Sequence, residues 1–171
     1  VYGADQGIAW GQKGFQMKLA PYDGTIRGPL IVSMPSKLPT GKVCSKPVGG
    51  ADLVPTFFNA AGLDLPWKMH GRDLTPLLTH PERKDWKSPL LLAHTGMSFG
   101  EDCDMVIEMK DDPIYQKQRV PWWISLRTDR YKYIRNLLPG ETEELYDMRK
   151  DPEELDNLAV QSKHFVLLRK L

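Results

Sequence analysis

The residues best suited to chemistry lie near the start of the chain, where Asp5 and Gln6 follow a short apolar segment. The Asp5 carboxylate and the Gln6 amide offer hard side-chain oxygens, the ligand type that calcium and magnesium prefer. Lys18 follows after a glycine-containing stretch and supplies a compact positive charge suited to an anionic oxygen. Together these residue types predict a pocket that combines a hard cation with a lysine and binds a tetrahedral oxyanion.

The segments around these residues have the pattern of strands in an α/β sheet. An apolar lead ends abruptly at Asp5, and residues 29–34 form a second apolar run, so we predict a buried strand at each place. Because α/β folds bind ligands at the carboxyl ends of their strands, this pattern places the acid and the amide at a ligand site. Taken alone, an Asp at a strand end is more often a turn former, and a lysine in such a loop is usually solvated. The combination in this order favours the site.

Further motifs extend this pattern along most of the chain. They are Gly-Gln-Lys-Gly at 11–14, Tyr-Asp at 22–23, Arg27, Pro-Leu-Ile-Val at 29–32, Asp-Leu-Val-Pro-Thr at 52–56, Arg-Thr-Asp-Arg-Tyr-Lys-Tyr-Ile at 127–134, Glu-Leu-Tyr-Asp at 144–147, Asp-Pro at 151–152 and Asn-Leu at 157–158. With Asp-Gln-Gly at 5–7, they resemble the second half of a type I sulfatase, a family of the alkaline-phosphatase-like superfamily. One difference is Lys13, which stands where many members of that family have histidine.

The resemblance implies a set of site residues and cofactors. Asp5 and Gln6 would be ligands of one calcium ion, and Lys18 would hold the oxygen that becomes the leaving group of a sulfate ester. The nucleophile would be a formylglycine in a preceding half of the same protein, which would complete the site. We therefore expect the 171 residues alone neither to hold calcium tightly nor to turn over substrate.

Lys13, His70 and Arg127 are the candidate substrate-binding residues. Lys13 could hold a carboxylate or a sulfate on a sugar, and His70 could face the sugar, although a surface or capping histidine is the more common case. Arg127 lies beside aromatic residues that could contact a sugar ring, with ordinary cross-strand packing as the alternative. Cys44 precedes Ser-Lys-Pro and does not match the Cys-or-Ser-x-Pro-x-Arg nucleophile pattern of the family, so we interpret it as structural.

The fold implied by the resemblance is α/β. It is the C-terminal portion of an alkaline-phosphatase-like sandwich, a sheet flanked by helices, followed by a small antiparallel-sheet subdomain with a C-terminal helix. Residues 1–80 would be the last part of the main catalytic domain, and residues 81–171 the small α+β subdomain. An insert at about 96–121 has no counterpart in the family and is predicted to be a loop with one short helix.

Local patterns predict the individual elements. Residues 52–61 have helical apolar spacing, with Asp52 as the cap and Gly62 as the stop. An apolar run predicts a strand at 89–95, and alternation predicts two strands around a tight turn at 121–134. Near the end, Asp151 is the predicted N-cap of a helix that runs, with a break near Asn157, to the C-terminus, and Glu154 is its predicted capping-box partner.

Composition limits the classes of partner. The chain has 23 basic and 22 acidic residues, a net charge of +1, which gives no argument for nucleic acid or an anionic membrane surface. No apolar run approaches the roughly 20 residues that span a bilayer. The two cysteines, Cys44 and Cys103, allow at most one disulfide. Because the chain begins without Met in a predicted core strand, we interpret it as a C-terminal fragment of a protein that the resemblance places in the periplasm or outside the cell.

The resemblance predicts a sulfuric ester hydrolase that cleaves a sulfate ester, on a sulfated small molecule or, more specifically, a glycan. A phosphodiesterase or phosphonate monoester hydrolase of the same superfamily is one alternative. Members that use two metals need an Asp-His pair, and here Gln6 follows Asp5. A catalytically inactive homologue that binds sulfated glycan is the other alternative, because Lys13 replaces the histidine.

Overall fold

The computed structural model describes residues 1–98 and 113–171, in which short helices alternate with antiparallel strand pairs, as the α/β class predicts. The described residues form two compact units. The first comprises Val1–Asp5 and Gly28–Leu90, and the second comprises Gln6–Arg27 and Leu91–Leu171. The domain division at residue 80 stays a prediction. Within the described ranges, no helix has the length and apolar character needed to cross a membrane.

The first unit begins with a small antiparallel pair. Strand β1 (Tyr2–Gly3) pairs with β4 (Leu30–Ile31), in the register Tyr2 opposite Ile31. Both apolar segments were predicted to be buried strands, and the prediction of burial is wrong, since the Ile31 side chain is 60% exposed. An apolar run shows that a strand is suited to burial, but burial also needs a second layer of structure that covers the strand. Among the described residues of this unit, no such layer covers Ile31.

Helix α2 (Leu53–Ala61) confirms the helix predicted for residues 52–61. A 3-10 turn, Gly50–Asp52, precedes it, and Gly62 ends it in the left-handed conformation at φ 69°. The buried residues of the helix are Pro55 and Thr56, whereas Phe57 is 46% exposed.

The prediction that the Asp52 side chain caps α2 is wrong, because the Asp52 carboxylate binds other groups. One carboxylate oxygen accepts from the backbone N–H of Gly49 at 2.9 Å, and Arg72 donates from Nε and Nη2 at 3.1 and 2.8 Å. Arg72 also donates to the carbonyl of Ser88 at 3.0 Å. This buried ion pair therefore joins the start of α2 to the segment that precedes α3 (Thr75–Thr79).

The second unit contains a sheet of four strands in the order β5-β6-β7-β8. The strands are β5 (Leu90–His94), β6 (Trp123–Arg127), β7 (Tyr131–Asn136) and β8 (Glu144–Asp147), and they confirm the strands predicted at 89–95 and 121–134. Helix α4 (Pro113–Gln118) lies within the predicted insert. Residues 99–112 of the insert lie outside the described residues.

A hairpin of strands β2 (Ala9–Trp10) and β3 (Gln16–Met17) carries the lysines of interest. A 3-10 turn at Gln12–Gly14 connects the strands, and the short helix α1 (Asp23–Ile26) follows. The indole Nε1 of Trp123 donates to the carbonyl of Leu19 at 2.8 Å. The segment that follows the hairpin is therefore fixed to strand β6 inside the second unit.

The chain end differs from the predicted long helix. The Asp151 carboxylate accepts from the backbone N–H groups of Leu155 and Asp156 at 3.0 and 2.8 Å, which forms a turn in place of a helix cap. Two 3-10 turns follow, and the C-terminal helix α5 (Phe165–Leu168) is a single turn. The capping-box role of Glu154 is wrong, because its side chain is buried and pairs with groups outside the turn.

Candidate functional site

The hairpin turn positions Lys13 by an unusual backbone. Lys13 has φ 56°, and its neighbours Gly11 and Gly14 have φ 102° and 77°. Glycine tolerates this left-handed region, whereas a lysine adopts it rarely and at a cost. The side-chain contacts of Lys13 must therefore offset the unfavourable backbone.

The Lys13 ammonium is held in a cage of aromatic and carbonyl groups. Its Nζ lies 4.7 Å from the ring centroid of Tyr22 and 4.8 Å from that of Tyr146, within the range of cation–π attraction. It donates to the Tyr146 hydroxyl at 3.1 Å and to the backbone carbonyl of Glu154. We call these three residues, Tyr22, Tyr146 and Glu154, the Lys13 cage.

A buried carboxylate fixes the two rings of the cage. The Tyr22 hydroxyl donates to Glu144 Oε1 at 3.0 Å, and the Tyr146 hydroxyl donates to Glu144 Oε2. Burial and the nearby Glu144 charge raise the pKa of both tyrosines, so each phenol keeps its proton and remains a donor. Asn136 Nδ2 adds a donor to Glu144 at 3.3 Å. The cage is therefore a hydrogen-bonded framework rather than a chance contact of rings.

An ionic cluster of Asp23, Lys132 and Glu154 adjoins the cage. The Lys132 side chain is 0% exposed, and its Nζ lies 2.8 Å from Asp23 Oδ1 and 2.6 Å from Glu154 Oε1. Glu154 Oε2 accepts from the backbone N–H of Asp23 at 2.7 Å. Burial raises the pKa of Glu154, and the charge of Lys132 opposes that rise. The cluster thus ties helix α1 to strand β7 through charge-assisted hydrogen bonds.

Arg127 lies near this cluster at the end of β6. It is half-buried and donates from Nη1 to the carbonyl of Thr128. Burial lowers the pKa of Arg127, and the charges of Asp23 and Glu154 oppose that effect. Arg127 therefore contributes positive potential to the cluster, and its predicted contact with substrate stays a prediction.

The other predicted site residues lie at accessible positions. Asp5 and His70 are exposed, and Gln6 and Lys18 are half-buried. Lys18 shares its unit with Lys13 and Arg127, whereas His70 belongs to the first unit. The described residues contain no group of three or more His, Cys, Asp or Glu side chains arranged to hold a metal. The predicted metal, catalytic and substrate-binding roles stay predictions.

Sequence reasoning missed the residues that organise the site. Lys132 lies two positions before Ile134 in β7, and the alternation of a strand puts both on one buried face. A lysine in that register needs an acidic partner, which was a usable signal. The sequence predicted no partner for Glu144 and a capping-box role for Glu154, because contacts more than a hundred residues apart leave no local pattern.

The fold is shared with solved structures of hydrolases. A structure in complex with its substrate D-glucosamine-2-N,6-O-disulfate matches at a TM-score of 0.80 and 24% identity, over 99% of this chain and 31% of that chain. The phosphonate monoester hydrolase of Silicibacter pomeroyi matches at a TM-score of 0.61 and 23% identity, over 87% of this chain and 28% of that chain. The chain therefore has the same α/β fold as the corresponding part of these structures.

The sequence comparisons define the family. A family model described as N-sulphoglucosamine sulphohydrolase, C-terminal, matches residues 11–97, about half of the chain. The N-acetylglucosamine-6-O-sulfatase of Bacteroides thetaiotaomicron is 26% identical over 166 residues, which cover 96% of this chain and 27% of the relative. The chain belongs to this sulfatase family and corresponds to its C-terminal region, and it spans about a quarter of the length of that relative.

Proposed function

We propose that this chain contributes the lysine-bearing half of the active site of a sulfatase, a sulfuric ester hydrolase that acts on a sulfated carbohydrate. The observation that carries the proposal is the family match over residues 11–97, which includes the hairpin with Lys18. The names of the relative and of the substrate complex support a sulfated amino sugar as the substrate class.

Lys18 is proposed as the catalytic residue. The bridging oxygen gains negative charge as its bond to sulfur breaks and the alcohol leaves. The Lys18 ammonium would stabilise this charge, which is electrostatic catalysis. Removal of such a donor typically lowers kcat by about a hundredfold, or about 3 kcal/mol in the barrier. Arg127 is proposed to orient the anionic sugar around this position, and His70 is proposed as a separate contact of the sugar.

Asp5 and Gln6 are proposed as ligands of one calcium ion. Their oxygens fit a hard cation in kind, but calcium takes about six to eight oxygen ligands, so other groups must complete the set. The ion would neutralise negative charge on the sulfate oxygens, and a formylglycine residue would supply the nucleophile. Both the remaining ligands and the formylglycine would come from an N-terminal half of the same protein.

Exposed apolar side chains support the need for such a half. In the first unit, Tyr2 and Ile31 lie opposite each other in the β1–β4 pair, and they are 67% and 60% exposed. Large exposed apolar residues that cluster along a chain commonly mark surfaces that another segment covers. The family resemblance also supports a secreted or periplasmic location for the complete protein.

A phosphonate monoester or phosphodiester hydrolase is the second candidate function, favoured by the shared fold with the phosphonate monoester hydrolase. A glycan-binding homologue without activity is the third. The deciding experiment compares turnover of an aryl sulfate, an aryl phosphonate and a sulfated glucosamine by the full-length protein. A sulfatase hydrolyses the sulfates with the higher kcat/KM, and Lys18→Ala lowers kcat by about a hundredfold.

The controls separate loss of folding from loss of chemistry. Lys42→Met changes an exposed lysine of the first unit and leaves kcat unchanged. Faster turnover of the phosphonate would contradict a sulfatase, and binding of sulfated glucosamine without turnover of any ester would establish the glycan-binding homologue.

A further inference from the structure

Lys13 has an environment that differs from that of a substrate ligand. Two of its N–H donors go to the Tyr146 hydroxyl and the Glu154 carbonyl, and the faces of Tyr22 and Tyr146 cover the ammonium on two sides. An ammonium has three donors in total, so these contacts leave little capacity for a further anionic group.

The positive and negative side-chain charges around Lys13 are also paired with each other when no substrate is bound. Glu144 is buried and accepts from the hydroxyls of both cage tyrosines, and the Tyr146 hydroxyl lies between its carboxylate and the Lys13 ammonium. Lys13 thus provides the positive charge next to Glu144, whereas Lys132 and Arg127 together face the carboxylates of Asp23 and Glu154. A substrate sulfate at Lys13 would add negative charge where the balance is already complete.

The turn that bears Lys13 is restrained at its end by Phe15, which packs on the buried cluster around Trp123 and on the Tyr22 ring, and Lys13 provides the contacts of the turn itself. A Cβ added at Gly11 or Gly14 would meet nothing within 4 Å, so the turn is open on both sides of Lys13. The contacts of Lys13 cross from this turn to residues 133 and 141 positions away along the chain. The cage is therefore what anchors the tip of the hairpin to the sheet.

We infer that Lys13 is a positioning residue: its ammonium, bound in the Tyr22–Tyr146–Glu154 cage, fixes the hairpin that carries Lys18 and does not contact the substrate. The inference rests on the proposed function for the role of Lys18. It replaces the predicted substrate contact of Lys13. Misplacement of a reacting group by about 1 Å can lower the rate by about a hundredfold, so a loose hairpin has a measurable cost.

The first test is kinetic and uses the full-length protein. Lys13→Met keeps the length of the side chain and removes the charge, and we expect kcat to fall by about tenfold to a hundredfold with KM nearly unchanged. The loss is equal for an aryl sulfate and for a sugar that carries a second sulfate group, because the second group is not bound by Lys13. Lys13→Arg keeps the charge and restores part of kcat, and Lys42→Met is the matched control.

The second test asks whether Lys13 acts through Lys18. In a Lys18→Ala background, Lys13→Met should lower kcat far less than it does in the parent protein, since residues that act through one another are not additive. Full additivity of the two substitutions would overturn the inference. So would a loss confined to KM for the doubly sulfated sugar, which is the result expected of a substrate ligand.

The third test needs no activity. Amide hydrogen exchange of residues 11–18 in the full-length protein should become faster in Lys13→Met and in Tyr146→Phe and should be unchanged in Lys42→Met. Tyr146→Phe removes the hydroxyl that accepts from Lys13 and donates to Glu144. Unchanged exchange in both cage variants would overturn the inference that Lys13 fixes the hairpin, even if the protein is a sulfatase. Faster exchange in a protein that hydrolyses no sulfate would refute the proposed function but would still support the role of Lys13 in fixing the hairpin. If Lys13→Met does not fold, Tyr146→Phe decides.

Discussion

Replacing Lys132 with methionine tests how strongly the ionic cluster stabilises the sheet. The Lys132 side chain is 0% exposed and lies within 2.8 Å of Asp23 and 2.6 Å of Glu154. Methionine occupies a similar volume but has no charge, so the two carboxylates remain without their paired cation. Removing one partner of a buried ion pair typically costs about 3–5 kcal/mol, because the remaining charge is left uncompensated.

Two features of the site place the expected cost at the lower end of that range. Asp23 is half-buried, so water screens part of its charge. The positive charge of Arg127 acts on both Asp23 and Glu154 and remains in the variant. We therefore expect Lys132→Met to lower the free energy of opening of strand β7 by about 3 kcal/mol.

The effect depends on pH through Glu154. Burial raises the pKa of Glu154 in the folded state, so this residue makes folding less favourable as pH rises from its ordinary pKa through the raised one. Loss of the Lys132 charge, which opposes the rise, moves the folded pKa further upward. The carboxyl then takes up a proton in the folded variant, and the cost of Lys132→Met is smaller at about pH 5 than at about pH 8.

Native-state hydrogen exchange of the β7 amides in the full-length protein measures this free energy directly. Lys163→Met, at an exposed position near the C-terminus, is the control and should change it by less than about 0.5 kcal/mol. Lys132→Met combined with Glu154→Gln should recover part of the loss, because one buried charge is then removed. A cost below about 1 kcal/mol, or a cost that grows on acidification, would refute the reasoning.

Three further predictions concern the first unit and the metal. Burial favours a higher pKa for Asp52, but hydrogen bonds from Arg72 and from backbone N–H groups outweigh it, so the pKa is lowered. The stability that this pair provides is present above the ordinary carboxyl pKa and is lost as pH falls from there through the lowered pKa of the folded state. Asp52→Asn should remove this loss of stability at acid pH in thermal unfolding. Gly71→Ala should lower the free energy of unfolding by about 1–3 kcal/mol, because the added Cβ would overlap the Ala51 carbonyl oxygen. Gly50→Ala is the control, since a Cβ there meets nothing within 4 Å, and it should leave thermal unfolding unchanged. Calcium should raise the Tm of the full-length protein, and Asp5→Ala should abolish the rise; an equal rise in the variant would contradict the ligand role.

The elements that could be predicted from the sequence are those whose signal is local. Alternation in β6 and β7 and the apolar run of β5 identified strands, because each pattern matches the period of the structure that forms. Gly62 ended α2 as predicted, since a left-handed stop needs only the glycine itself. The family was likewise predictable, because its motifs are short and occur in a fixed order.

The two capping errors, at Asp52 and Glu154, have one physical cause, which is competition from distant partners. Asp52 would cap α2 if its carboxylate were free, but Arg72 offers two charge-assisted hydrogen bonds, which are stronger than one cap bond. Glu154 would close a capping box, but Lys132 and the Asp23 backbone N–H bind it in a buried site. Such contacts depend on the folded chain and not on residue spacing, so no window of sequence contains them.

Glu154 links the stability of the sheet to the position of the hairpin. Its carboxylate pairs with Lys132, and its backbone carbonyl, at a residue with φ 59°, accepts from Lys13. A non-glycine residue keeps this backbone conformation only while surrounding contacts hold it, so loss of the Lys132 pair should also release the carbonyl from Lys13. The effects of Lys132→Met and Lys13→Met on exchange of the hairpin amides should therefore be non-additive. The ionic cluster would thus determine not only how stable this unit is but how firmly it presents Lys18.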